Sequence, residues 1–529
     1  MKILTNSEMR EADRLTSERI GISARALMEN AGEAVAQFLA SSFSPLERRQ
    51  IVVLCGKGNN GGDGFVAARK LAELGASPLV FLFADPAELR GEAAEAYGRL
   101  AAASIRPKII RDAAAWSEAH SSLASAPILL DALLGTGLRG KVEGLFAQVI
   151  GDVNRREARR TIVSVDVPSG VSGDSGEVSG PAIVADYTVT FTAPKIGMLL
   201  APASFCVGRL SVADIGTPRE LVEEISKSTV RWLEPWEFRS TPFRRNANTN
   251  KGNYGHALIV AGSVGKAGAA ALAAQGALRV GAGLVTVATP GPALATVAAF
   301  APEIMTEPLH ATTAGTIARD VFDSGGFSTI LRGKNSVAIG PGLSTHEDTQ
   351  QFIRSVITSK PQVPVILDAD GLNAFAGRAG ELGGTGGMLA LTPHPGEMAR
   401  LLGTTSKEVQ ECRLTTARKS AADWQAVVIL KGHQTVIAAP DGQAWINSTG
   451  NPGMATAGMG DVLTGMLAGL TAQFGGKSWP HTLALGVYLH GLAGDIASTE
   501  ASGGPITASD LIRAIPHAFA QLASAIDHV

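Results

Sequence analysis

Residues 451–465 read NPGMATAGMGDVLTG, a run of glycines and small residues that opens a helix and holds one carboxylate, Asp461, at its turn. Gly458 and Gly460 let the backbone come close to a ligand, and the first free N–H groups of the following helix point at an anion. Such a turn suits phosphate. A carboxylate among those donors is costly beside a bound polyphosphate unless it has a task, and the natural task is to accept a proton from a substrate hydroxyl. The alternative is a plain helix start with Asp461 as its cap.

Working outward, the segments around this turn read as buried strands that end at polar or glycine turns: HALIV from His256, SVAIGPGLS from Ser336, VPVILDADGLN from Val363, LALTPHPGEMARLLG from Leu389 and AVVILKGHQTVIAAP from Ala426. Functional residues are expected at those strand ends. Proline on both sides of His394 holds its backbone away from helix and fixes its direction. Glu397 begins the next helix, as a cap or as an aid in ordering magnesium through water. Lys431 to Thr435, KGHQT, place a cation and several hydrogen-bonding groups after a strand, suited to a nucleotide or equally to a hairpin turn.

The chain has 529 residues, too long for one core, so at least two domains are expected. A formal net charge of −2 leaves no general basic surface for nucleic acid or anionic lipid, which favours small-molecule chemistry. Cys55, Cys206 and Cys412 lie far apart, without the spacing of a disulfide framework or a thiolate zinc site. With a charged amino-terminal stretch lacking the apolar core of a signal peptide, they point to the cytoplasm. The most apolar longer run, 267–289, is broken by Gln275 and Arg279 and reads as a packed helix and strand, not a membrane span. Sixty-one glycines against 5% aromatic residues fit the many tight strand-to-helix turns of an α/β enzyme.

The amino-terminal half opens with helices. Thr5 and Glu8 have capping-box spacing, and Ser23 starts a second amphipathic segment. Both are read as structural. Then IVVLC, residues 51–55, leads into GKGNNGGDG and the helical FVAARKLAELG, the order strand, phosphate-sized loop, helix. Gly56, Gly58 and Gly61 fit G-x-G-x-x-G, with Asp85 placed to meet a ribose. Asn59, Asn60, Gly62 and Asp63 add polar groups that a plain dinucleotide fingerprint does not require, ligands for a hard cation or for sugar hydroxyls. Two further strands end in an aspartate at a glycine turn. One places Asp131 before Gly135, Thr136 and Gly137; the other places Asp166 before Ser169 and Gly170. In a parallel sheet these ends gather at one edge, although a single Asp before Gly is more often a cap or turn former. Lys195 follows another strand, where a lone lysine is usually solvated.

GNNGGDG, LLGTGLRG, DVPSG and TFTAPKIGML together resemble the epimerase half of the bifunctional NAD(P)H-hydrate repair enzymes. GPGLS, DADGLN, LTPHPGE, KGHQT and NPGMATAGMGDVLTG resemble the dehydratase half of the same family. The resemblance implies a Rossmann-like three-layer sandwich over residues 1–220, a connecting stretch over 221–250 and a ribokinase-like α/β domain over 251–529. The first domain would exchange the R and S epimers of hydrated NADH and NADPH; the second would dehydrate the S form with ADP, giving NAD(P)H, AMP and phosphate. Carried over by position, Asn59, Asn60, Gly61, Gly62, Asp63, Gly135, Thr136, Gly137, Leu138, Arg139, Gly140, Lys141 and Asp166 would contact hydrated dinucleotide in the first domain. Asn60, Asp131 and Ser169 would ligate potassium, and Asp166 and Lys195 would do the acid–base work. In the second domain Ala269, Gly342, His394 and Asp461 would meet the hydrated dinucleotide. Lys431, Gly432, His433, Gln434, Thr435 and Gly460 would hold the adenine nucleotide, magnesium would bridge its phosphates, and Asp461 would be the base. By analogy with such relatives a homo-oligomer is expected. Two other readings remain open at this point: a sugar or vitamin kinase fused to a dinucleotide-binding domain, and an amino-terminal half that binds dinucleotide without catalysis.

Overall fold

The computed structural model describes residues 1–120, 126–137, 140–155, 160–178, 180–383, 388–476 and 479–527. The chain folds as two compact units, Met1–Ser228 and Thr229–Val529.

The first unit is built on seven parallel strands: β1 (Gln50–Cys55), β2 (Ser77–Leu82), β3 (Lys108–Ile109), β4 (Ile128–Ala132), β5 (Thr161–Val165), β6 (Tyr187–Phe191) and β7 (Arg209–Ala213). Their order is β3-β2-β1-β4-β5-β6-β7. Alternate residues of β1 enter different cores: Ile51, Val53 and Cys55 pack with the helices Ala24–Ser42 and Asn59–Glu73, whereas Val52 and Leu54 pack with Trp116, Val149 and Ile150. A sheet buried on both faces, with helices on each, is the expected three-layer sandwich. The expected capping boxes and caps form, with Thr5 and Glu8 closing the start of the helix Asn6–Leu15 and Ser23 capping the next helix.

One expectation fails here. Asn59 to Asp63 do not form a loop, because the helix Asn59–Glu73 begins at Asn59, directly after Gly58. Glycines let it start so early and so close to the sheet. A Cβ on Gly61 would lie 1.9 Å from the Gly56 carbonyl oxygen, and one on Gly64 would lie 2.7 Å from Ala132.

The second unit holds ten strands: β8 (Val230–Trp232), β9 (His256–Val260), β10 (Leu284–Pro290), β11 (Met305–Leu309), β12 (Ser336–Ile339), β13 (Val365–Leu367), β14 (Leu389–Leu391), β15 (Val427–Leu430), β16 (Val436–Ala438) and β17 (Ala444–Ile446). Their order is β11-β10-β9-β12-β13-β14-β15-β16-β17-β8, parallel from β11 to β15, with β15, β16 and β17 joined antiparallel. The helices Ala267–Arg279 and Met459–Phe474 pack face to face at carbon-contact distance, because Gly465 has no side chain to hold them apart; a Cβ there would lie 1.7 Å from the Ala273 carbonyl oxygen. As expected, residues 267–289 form a helix and a strand, and no described helix is long and apolar enough to cross a membrane.

Residues 221–250 are not one connecting stretch in the structure. Residues 221–228 belong to the first unit, where the helix Arg219–Ile225 lies, and β8 extends the second sheet beside β17. The pattern of RWLEPW hid this strand because an edge strand three residues long carries too little periodicity to read.

Candidate functional sites

In the first unit the carboxyl ends of β1, β4, β5 and β6 open onto a cleft of about 860 Å³. Asn59, Asn60, Asp63, Gly135, Thr136, Gly137, Asp166 and Lys195 all line it. The strand-end aspartates and the glycine turns therefore do converge, as parallel topology requires. Gly61 and Gly62 sit beneath it, against Gly56 and Met28. Lys141 stands outside its walls, exposed beside Glu143 at 3.9 Å. Gly140 is likewise not on the wall, and Leu138 and Arg139 lie outside the described residues.

Lys195 is not solvated. Its side chain is 1% exposed, and its three ammonium protons find three acceptors: Asp166 Oδ1 at 2.5 Å, Thr190 Oγ1 at 2.9 Å and the Phe191 carbonyl at 3.1 Å. The Thr190 hydroxyl donates in turn to Asp166 Oδ1 at 3.0 Å. A buried ammonium so placed needs its carboxylate partner, which fixes Asp166 at the cleft wall. The Asp166 backbone has φ of 62°, a conformation a non-glycine residue seldom holds and one that recurs at functional positions.

Just below the wall, Asp131 is fully buried and accepts from the Ser169 hydroxyl at 2.5 Å, the Ser169 N–H at 2.9 Å, the Ser164 hydroxyl at 2.9 Å and the Leu133 N–H at 3.3 Å. Burial pushes its carboxyl up, and those donors only partly oppose the rise. Asn60 donates to the Leu134 carbonyl at 3.1 Å while its own Oδ1 is buried without a partner. Ser169 Oγ lies 3.1 Å from the same carbonyl. The unpartnered Asn60 amide oxygen and the Leu134 carbonyl, which Ser169 ties to Asp131, are oxygen groups of the kind that a hard monovalent cation such as potassium takes.

Asn6, Met9, Arg10 and Asp13 line this cleft from the first helix, read above as structural only, and carried no sequence signal. Asp85, the candidate ribose partner, is not on the cleft; it caps a short 3-10 turn and pairs with Arg111 at 2.7 Å. A G-x-G-x-x-G spacing alone misassigned it.

In the second unit the carboxyl ends of β9, β12, β13, β14 and β15 meet the start of the helix Met459–Phe474. Gly458, with φ of 88°, precedes that helix and Asp461 lies in its first turn. Asp368, after β13, is the centre of the site. It pairs with Lys431 at 2.7 Å and accepts from the Thr392 hydroxyl at 2.7 Å and the Thr464 hydroxyl at 2.6 Å. Burial alone would raise the Asp368 carboxyl, but the Lys431 charge and these donors hold it below its ordinary value. For Lys431 burial pulls down while Asp368 and Glu397 more than reverse it, so it stays charged. Asp461 differs. Burial first, then the negative charge of Asp368, push it up to about 6 despite Lys431. A carboxylate brought near neutrality this way is suited to accept a proton.

His394 caps the helix Pro395–Leu402, its Nδ1 accepting from Gly396 N–H at 3.0 Å, and Glu397 accepts from the His394 N–H at 2.8 Å. Nδ1 is thus an acceptor and Nε2, 3.5 Å from Glu397, carries the proton. Gly460 lies against Lys431, where a Cβ would come within 3.4 Å of the ammonium. Gly342 lies against Ala269, and Lys266 reaches Asp370 at 3.3 Å, whose charge also acts on Asp461. Gly432 to Thr435 form the turn of the β15–β16 hairpin, closed by Thr435 Oγ1 donating to the Gly432 carbonyl at 3.0 Å. KGHQT is thus a hairpin turn, and its first residue, Lys431, faces the acidic centre. Asp368 and Asp370 were quoted in DADGLN without a role; a strand ending in two aspartates was the signal. Among the described residues no group of three or more His, Cys, Asp or Glu is placed to hold a metal. Magnesium would therefore be carried by nucleotide phosphates and water, with Glu397 placed to help order it through water.

An acid–base cleft on a Rossmann-like unit, followed by a ribokinase-like unit with a basic carboxylate at a phosphate-sized helix start, defines a two-site α/β enzyme. The family model described as NAD(P)H-hydrate dehydratase matches residues 257–517, and that described as YjeF-related protein N-terminus matches residues 24–197. The chain is 44% identical to the bifunctional NAD(P)H-hydrate repair enzyme of Moorella thermoacetica, over 100% of this chain and 98% of that one. It is 33% identical to the enzyme of the same description from Escherichia coli, over 95% and 91%. Among solved structures, it is similar to the ADP/ATP-dependent NAD(P)H-hydrate dehydratase from Bacillus subtilis co-crystallised with ATP and magnesium, at 34% identity, TM-score 0.47, over 55% of this chain and 99% of that one. The chain belongs to the family of bifunctional NAD(P)H-hydrate repair enzymes.

Proposed function

We propose that this chain repairs hydrated NADH and NADPH: the first unit exchanges the R and S epimers, and the second dehydrates the S form with ADP, giving NAD(P)H, AMP and phosphate. The observation that carries the reading is Asp461, a half-buried carboxylate raised to about 6 at a helix start, beside the Asp368–Lys431 pair. Asp461 takes the proton of the substrate hydroxyl, and the hydroxyl oxygen attacks the terminal phosphorus of ADP. AMP leaves. The phosphate now on the hydrated carbon departs with its C–O electron pair, the ring nitrogen supplies electrons to that carbon, and loss of the neighbouring proton restores the double bond. Lys431 faces the transferred phosphoryl charge, and the glycines at 458 and 460 let the helix N–H groups approach it. Magnesium, when bound with the nucleotide, would neutralise phosphate charge.

In the first unit Asp166, held by Lys195, serves proton transfer at the hydrated carbon, and Asn59 to Asp63 with Gly135 to Gly137 hold the dinucleotide. Potassium at Asn60, Asp131 and Ser169 would fix the turn that carries Leu134. Joining the two activities is chemically sensible, since a dehydratase that accepts one epimer leaves the other unrepaired. Small-molecule substrates, a cytoplasmic site of action and a homo-oligomer complete the reading.

The test is recovery of the near-ultraviolet absorbance of dihydronicotinamide from mixed hydrate epimers with magnesium and potassium, comparing ADP, ATP and no nucleotide. Complete ADP-dependent recovery, faster than spontaneous epimerisation timed with Asp166→Asn, is expected. Recovery that stops at the S fraction would sink the epimerase assignment. A stable phosphorylated product in place of free phosphate would establish a kinase.

A further inference from the structure

The first helix brings a carboxyl into the cleft that the reaction described above does not use. Asp13 lies on the cleft wall with Asp63, Asp166 and Lys195, and its Oδ1 is buried without a hydrogen-bond partner. Of the cations on its helix, Arg14 turns away to pair with Glu11 and Glu18, while Arg10 lines the same cleft without a hydrogen bond to Asp13 Oδ1. A carboxyl left unpaired in a buried place costs folding free energy, and such groups collect where proton transfer is needed.

We propose that Asp13 is the second proton-carrying group of the epimer exchange, working opposite in role to Asp166. The proposal rests on the epimerase reading of this unit. The hydrated carbon bears a hydroxyl and is bonded to the ring nitrogen. Inverting it takes an acid that protonates the hydroxyl, whereupon the C–O bond breaks, its electron pair leaves with water, and the nitrogen lone pair fills the emptied carbon. A water then adds from the other face and gives a proton to a base. One water leaves and one enters, while one carboxyl loses a proton and the other gains one. Before the next turnover the base gives its proton to solvent water and the acid takes one back, which resets both groups; in the reverse direction the roles are swapped.

The two carboxyls stand in the environments this asymmetry needs. Lys195 and Thr190 both donate to Asp166 Oδ1, so that oxygen is held by two hydrogen bonds. Asp13 has no donor on Oδ1; burial first, then the charge of Asp166, raise it to about 6, with Lys195 opposing. Asp63 is pushed up by burial first and then by the charges of Asp166 and Asp13.

The experiment uses the full-length chain, purified R hydrate, ADP and magnesium, with dehydration of purified S hydrate by the other unit as an internal control. Asp13→Asn is expected to lower kcat for R-hydrate consumption about 100- to 10 000-fold with KM little changed, and to remove a limb of the pH profile with its midpoint near 6. Exchange at the wild-type rate in Asp13→Asn, or a raised KM with kcat intact, overturns the role of Asp13 alone. A wild-type chain that consumes R hydrate no faster than the spontaneous rate overturns the epimerase reading beneath it. Should Asp13→Asn fail to bind dinucleotide, the pH profile of wild-type R-to-S exchange without ADP, where the dehydratase is silent, decides: a limb near 6 supports the assignment and its absence refutes it.

Discussion

Replacing Asp461 by asparagine should make the protein more stable and nearly inactive as a dehydratase. The Asp461 carboxyl is raised from 3.8 to about 6, chiefly by burial and by the charge of Asp368. Two pKa units correspond to about 3 kcal/mol of preference for the protonated form. The side chain keeps part of its water, so roughly 1–2 kcal/mol of that survives screening. Because the folded pKa is the higher one, the folded chain holds the proton more strongly. Below about pH 4 the group is protonated in both states and costs nothing; stability is lost as pH rises toward 6, and the full cost persists above it. Asparagine fills the same space without the charge. Urea titrations and melting curves without nucleotide should therefore show Asp461→Asn more stable at pH 7.5 by roughly 1–2 kcal/mol, about 2–4 °C in Tm. That gain should shrink to about half at pH 5. ADP-dependent dehydration should fall at least about 100-fold. A variant that is less stable at pH 7.5, or whose gain does not depend on pH, would refute the picture of a carboxylate held ionised at a cost for catalysis.

Other substitutions probe separate parts of the molecule. Lys195→Met removes the ammonium that holds Asp166 and should destabilise by about 3 kcal/mol. The double variant with Asp166→Asn should lose less than the sum of the two single losses in denaturant titrations. Gly465→Ala sets a Cβ 1.7 Å from the Ala273 carbonyl oxygen and should cost at least about 3 kcal/mol. Gly98→Ala, in the open interior of the helix Gly91–Ala102, should gain about 0.5–1 kcal/mol on the same melting scale. Asp85→Asn should leave the KM for hydrated dinucleotide unchanged, because Asp85 faces Arg111 away from the cleft.

What the sequence displayed and what it hid follow from the range of the physics involved. Strands that end in glycine turns are local patterns, and a parallel sheet carries all their ends to one edge. Asp131, Asp166 and the residues around Asp461 were therefore legible before any packing was known. Lys195 was legible only as a position after a strand. Its burial depends on Thr190 and Asp166 supplying acceptors, and that pairing forms only when the turn folds back. Asp368 was legible as a strand end, but its rank as the centre of the second site comes from Lys431, 63 residues along the chain, and Thr464, 96 residues along. Asp13 was the least legible. On its helix it shares a face with Asn6 and Met9, seven and four residues before it, but nothing within that helix reveals a cleft above that face. Only the approach of three strand ends makes that face an interior. Perturbed pKa values arise from burial and from charges distant in sequence, which no local pattern encodes. For this chain the motifs supply Asp461, Asp368 and Lys431 themselves, and the tertiary structure supplies the burial and the mutual charge that set their protonation.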